Sequence, residues 1–92
     1  MIGISIDGGL WTLTLNRPEK ANALTGAMLD DLDRAVERAG AEGARALILT
    51  GTGKVFSAGA DLEAAKAGLA TDPVWDRLSG RIAALPCLTV AA

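Results

Sequence analysis

Histidine is absent from this chain, and cysteine occurs once, at Cys87. Without histidine there is no Ser–His or Cys–His nucleophile and no histidine metal site. Chemistry carried by these residues falls to carboxylates, lysine or backbone dipoles. A single cysteine cannot close an internal disulfide, and a reducing, cytoplasmic compartment is the simplest expectation. Charge of one sign is also scarce. The net value is −2 with no basic block, which argues against nucleic acid as a partner. No apolar run approaches the roughly 20 residues that span a bilayer, so no membrane partner is expected. Met1–Asp7 lacks the basic n-region and long apolar core of a signal peptide.

Half of the 92 residues are apolar and 22% are charged, an ordinary globular balance sufficient for one small domain. Ile2, Ile4 and Ile6 alternate with small residues, the period of a half-buried strand. Asp7-Gly8-Gly9 is a hairpin signal, and Trp11, Leu13 and Leu15 form the returning strand. Asn16-Arg17-Pro18 ends it. Thr25 is the expected N-cap of a helix to Ala39, with Gly40 at C′. Its stripe of Met28, Leu29, Leu32, Ala35, Val36 and Ala39 faces a core. Asp30, Asp31 and Asp33 come early and Arg34 and Arg38 late, an order that suits the helix dipole.

Residues 44–50 read as a third strand. It lacks alternation at Leu47-Ile48-Leu49, which predicts cover on both faces and a right-handed crossover from the second strand. A short helix is expected from Asp61 or Leu62 to Gly68. Another starts with Asp72 as N-cap and Pro73 at N1, and ends before Pro86. Leu88–Ala92 reads as a buried strand, Cys87 as a buried inert thiol, and Trp11 and Trp75 as core.

The informative stretch is Lys54–Leu62. A strand, a loop holding Gly51, Gly53, Gly59 and small side chains, and a helix start together let backbone N–H groups point at an anion. Composition alone favours a plain strand-to-helix turn capped by Asp61. Of the tempting acid/base pair Asp61 and Glu63, the second follows on the helix and is expected to be exposed.

Phe56-Ser57-Ala58-Gly59-Ala60-Asp61-Leu62 resembles the oxyanion segment of the enoyl-CoA hydratase/isomerase (crotonase) family. Asn16-Arg17-Pro18-Glu19-Lys20-Ala21-Asn22-Ala23-Leu24 resembles its other early signature. The resemblance implies an α/β fold, the ClpP/crotonase spiral of strand–strand–helix units, with residues 1–92 the N-terminal portion of a domain incomplete at its C-terminal end. It implies an acyl-CoA thioester hydratase or isomerase in which the Ala60 N–H is an oxyanion donor. Lys20, Ala21, Ala23, Ala58, Gly59, Ala60, Asp61 and Leu62 would contact the CoA thioester. Some members carry a basic residue at the Ala21 position; here Lys20 stands beside it.

The resemblance further implies no cofactor beyond CoA in the substrate, no metal, and a homotrimer or hexamer, with a second chain completing the domain as another possibility. A glycine donor and two acid/base glutamates would lie beyond Ala92. Other family reactions (hydrolase, decarboxylase, dehalogenase) share this half. Rivals of other classes are a non-catalytic acyl-CoA-binding or assembly fragment and an unrelated small α/β domain.

Overall fold

The computed structural model describes residues 1–92. β1 (Ile2–Asp7) and β2 (Leu10–Leu15) form an antiparallel hairpin in which Ile2 faces Leu15 and Asp7 faces Leu10. α1 (Gly26–Ala41) then carries the chain to β3 (Ala46–Gly51), which lies parallel to β2. α2 (Leu62–Lys66) and α3 (Val74–Ala84) precede β4 (Leu88–Ala91), parallel to β3. The sheet order is β1-β2-β3-β4.

The core lies between one sheet face and the two longer helices. Trp11, Leu13, Leu15 and Leu47 project from the sheet onto Met28, Leu29, Leu32 and Val36 of α1 and Leu78 of α3. Each such side chain contributes roughly 1.5–3 kcal/mol when buried. The predicted stripe of α1 is therefore the buried one.

The opposite sheet face is open. Ile48, on that face, is only half-buried. Ile4 and Ile6, paired with Leu13 and Trp11 and so on the helix side, are exposed because α1 covers edge strand β1 incompletely. The expected half-burial of Ile4 and Ile6 and the expected two-sided cover of β3 are thus not met within these residues. β4 is exposed along its length, with Leu88 at 68%, and an apolar hollow of about 270 Å³ remains between it, α1 and α3. Apolar sequence signals that a strand can be buried, but burial needs another layer to pack on it. Cys87 is likewise half-buried rather than enclosed. Trp75 is half-buried, its indole N–H donating to Leu69 O at 2.8 Å.

Two features of α1 correct the sequence reading. Thr25 does cap it, Oγ1 accepting from Met28 N at 3.2 Å, but the helix runs on past Ala39. Ala44 N donates to Ala39 O and Gly43 N to Gly40 O, the paired bonds of a Schellman end, with Gly43 at φ +73° in the C′ position. Gly40 serves packing instead: a Cβ there would lie 3.1 Å from Leu85 Cδ2.

The early carboxylates also do something other than stabilise the dipole. The first turn of α1 contains no acidic residue. Asp33 is buried and pairs with Arg77 Nε at 3.1 Å and lies 2.7 Å from Arg81 Nε, fastening α3 to α1. Asp30 also reaches Arg77, and Asp31 pairs with Arg34.

At α3, Pro73 stands at the N-cap with helical backbone angles, one position earlier than the expected N1. Asp72 just before it supports the start, its Oδ1 accepting from Val74 N at 2.8 Å. Gly68, at φ +107°, follows the last residues of α2. No helix is long and apolar enough to cross a membrane.

Candidate active site

Two loops meet at the end of β2 and β3. The first, residues 16–24, leaves β2 at Leu15, makes a 3-10 turn over Pro18–Lys20 and passes through Ala21 and Asn22 at φ +52° and +55°. Two consecutive left-handed non-glycine residues cost of order 1 kcal/mol each unless neighbours hold them.

Asn22 does the holding. It is fully buried. Its Oδ1 accepts from Arg17 N, and its Nδ2 donates to Thr52 O and Val55 O, all at 2.8 Å. Its carbonyl accepts from Ser57 Oγ at 2.8 Å. Asparagine tolerates the left-handed region and offers both donors and acceptors, so one side chain joins this loop to the one that follows β3. Gly51 makes room for it: a Cβ there would collide with Phe56 O and stand 2.7 Å from Asn22 Nδ2.

The second loop, residues 52–61, runs against the first. Ala58 N donates to Ala21 O, and Ser57 Oγ accepts from Gly59 N. A parallel bridge joins Leu24 and Ala60: Leu24 N donates to Gly59 O and Asp61 N to Leu24 O, both at 2.7 Å. Because this bridge uses the groups on either side of Ala60, Ala60's own N–H points away from Leu24. Of the amides from Ala58 to Asp61, Ala60 N alone has no acceptor within the chain.

Asp61 is the N-cap of α2, Oδ1 accepting from Ala64 N at 3.1 Å. Its Oδ2 is 2.8 Å from Arg17 Nη1. The Ala64 amide first, and the Arg17 hydrogen bond second, hold its carboxyl below the usual range. A depressed folded value means that the charged form is bound better in the native state. The stability it adds is therefore complete above the ordinary carboxylate range, near about pH 4, and is lost as pH falls through the folded value.

Lys20, Ala23, Ala58, Ala60, Asp61, Leu62 and Glu63 line a single open hollow of about 520 Å³. The structure thus brings together six of the eight residues singled out from sequence. Ala21 and Gly59 are not among its lining residues, and their carbonyls accept from Ala58 N and Leu24 N. Arg17, the other cation of the first loop, is turned inward onto Ala23 O and Asp61. Glu63 is exposed, as expected. The integrating role of Asn22 was not read from sequence. The signal available was an amide side chain flanked on both sides by alanine.

This loop pair can be compared with known proteins. The family described as Enoyl-CoA hydratase/isomerase matches residues 5–92. The chain belongs to that family.

A protein named a probable enoyl-CoA hydratase, echA6, of Mycobacterium tuberculosis (strain CDC 1551 / Oshkosh) is 47% identical over 62 residues, 67% of this chain and 26% of that protein. Among solved structures, the enoyl-CoA hydratase EchA8_6 from Mycobacterium marinum superposes with a TM-score of 0.84 at 34% identity, covering 99% of this chain and 46% of that one. An enoyl-CoA hydratase/isomerase from Pseudoalteromonas atlantica T6c gives a TM-score of 0.84 at 29% identity, with 98% and 37% covered. The fold is crotonase-like. The chain spans about a quarter of the length of such curated relatives and under half of these structures.

Proposed function

We propose that residues 1–92 are the N-terminal portion of an acyl-CoA thioester hydratase or isomerase, supplying one oxyanion donor and the CoA-binding loop. The observation that carries this reading is the Ala60 N–H. It has no acceptor in the chain, and its residue lies on the wall of the hollow that Lys20 and Ala23 also line. Hydration and isomerisation of an enoyl thioester both build negative charge on the thioester oxygen. A preorganised backbone donor aimed at that charge is worth about 3 kcal/mol in the transition state. Its fixed neighbours, Leu24 O on Asp61 N and Ser57 Oγ on Gly59 N, hold the amide in place before substrate arrives.

In this reading the CoA phosphates and adenosine lie along residues 20–24, with Lys20 as the cation and main-chain groups of Ala21 and Ala23 beside it. A second donor and the glutamate acid and base come from outside residues 1–92, in a cytoplasmic homotrimer or hexamer that needs no metal or further cofactor. The full-length protein is expected to hydrate or isomerise 2-enoyl- or 3-enoyl-CoA thioesters, followed by the change in conjugated thioester absorbance. CoA binding without turnover of any such thioester would instead establish the second reading, a non-catalytic acyl-CoA-binding module. That rival is favoured by one fact: neither Asp61, tied to Arg17, nor exposed Glu63 offers a placed acid or base.

Lys20→Glu should weaken acyl-CoA binding about tenfold at low ionic strength, with the loss shrinking as salt is raised, because exposed charges are screened over a Debye length. Equal affinity at low salt, by titration calorimetry, would remove Lys20 from the contact set.

A further inference from the structure

Arg17 sits where the two loops meet. Its backbone is anchored: Arg17 N donates to Asn22 Oδ1, and its carbonyl accepts from Lys20 N and Asn22 N. From that fixed base a single guanidinium nitrogen, Nη1, donates to Ala23 O at 3.1 Å and to Asp61 Oδ2 at 2.8 Å. The Arg17 and Asp61 side chains are only 16% and 17% exposed, so this charge is partly desolvated and engaged within the chain. Asp61 spends its other oxygen on Ala64 N and its amide on Leu24 O. Ala60 thus lies between a bridged partner, Leu24, and a residue clamped from three sides.

We propose that Arg17 is a positioning residue, which sets the spacing between the CoA-side loop at Ala23 and the Ala60 amide by holding Ala23 O and the Asp61 carboxylate on one nitrogen. This inference rests on the functional reading above. Arg17 touches no reacting atom. It makes the loop that grips CoA and the loop that carries the donor one rigid body, so that binding energy at the nucleotide end orients the thioester oxygen against the amide. Misplacement of a positioning group by about 1 Å can cost on the order of 100-fold in rate.

The test uses the full-length enzyme with Arg17→Met, Arg17→Lys and Asp61→Asn, and the Arg17→Met/Asp61→Asn double variant. Asparagine retains an acceptor for the α2 cap, so Asp61→Asn removes the charge while preserving the helix start. Arg17→Met and Asp61→Asn should each lower kcat by about 10- to 100-fold. In Arg17→Met the Kd for CoA itself, measured calorimetrically, should stay within about threefold, because Arg17 holds Ala23 O and Asp61 and not a phosphate. The double variant should be no slower than the slower single, and Arg17→Lys, which keeps a charged multi-donor head, should recover part of the rate.

Normal kcat in a folded Arg17→Met or Asp61→Asn enzyme would overturn the proposal. So would weaker CoA binding at unchanged kcat, which would make Arg17 a phosphate ligand. If Arg17→Met fails to fold, Asp61→Asn decides by the same criterion. Ala60→Pro separates the two levels: normal turnover there defeats the functional reading, whereas loss there with silent Arg17 and Asp61 variants defeats only this inference.

Discussion

On the oxyanion role proposed for Ala60, Ala60→Pro in the full-length protein is expected to lower kcat by about 100-fold or more, the usual effect of losing one such donor. Proline removes the N–H itself, and that N–H has no acceptor within the chain, so no internal hydrogen bond is sacrificed. The parallel bridge to Leu24 uses Gly59 O and Asp61 N, and both survive the substitution. Affinity for CoA should change less than kcat, because the donor meets charge that develops only in the transition state. Ala60→Gly keeps the donor and should retain most of the rate. Circular dichroism and melting must show Ala60→Pro to be folded. Normal turnover by that folded variant would make the loop a plain strand-to-helix turn.

Asn22→Ala should destabilise the protein by about 3–5 kcal/mol, among the larger effects of a single substitution. The change leaves Thr52 O, Val55 O and Arg17 N without their side-chain partner in a fully buried site, and unpaired buried groups cost about 1–3 kcal/mol each. Alanine also tolerates φ +55° less well than asparagine. Urea unfolding of the full-length protein would measure this, with Ala23→Gly, one residue on, as a comparison that removes no side-chain hydrogen bond. A loss under about 1 kcal/mol would mean that water replaces the amide and that Asn22 does not hold the loops together.

The difference between these residues in legibility has a physical origin. The hairpin, the Thr25 cap, the apolar stripe of α1, the Asp72–Pro73 start of α3 and the parallel β2–β3 pair were all readable, because each depends on residues close in sequence or on a simple period. So was the loop around Ala60, whose small residues precede a helix start and resemble a known family segment. α1 ends two residues beyond the expected Ala39, and its C′ glycine lies three beyond Gly40, a difference left open by the sequence because two glycines were available. Only the approach of Leu85 shows that Gly40 is needed for packing while Gly43 takes the left-handed turn. Asp33 looked like a dipole residue until α3 brought Arg77 and Arg81 to it.

Local chemistry in the chain therefore determined the elements, their polarity along the chain and the family to which the two loops belong. Tertiary structure alone decided which groups are free to act. Ala60 N is unpaired because Leu24 engages the groups on either side of it, and Arg17 is structural because Asp61, distant in sequence, arrives within hydrogen-bond reach. A residue's type shows what bonds it can make. Which of them remain unmade depends on neighbours that only the folded chain supplies.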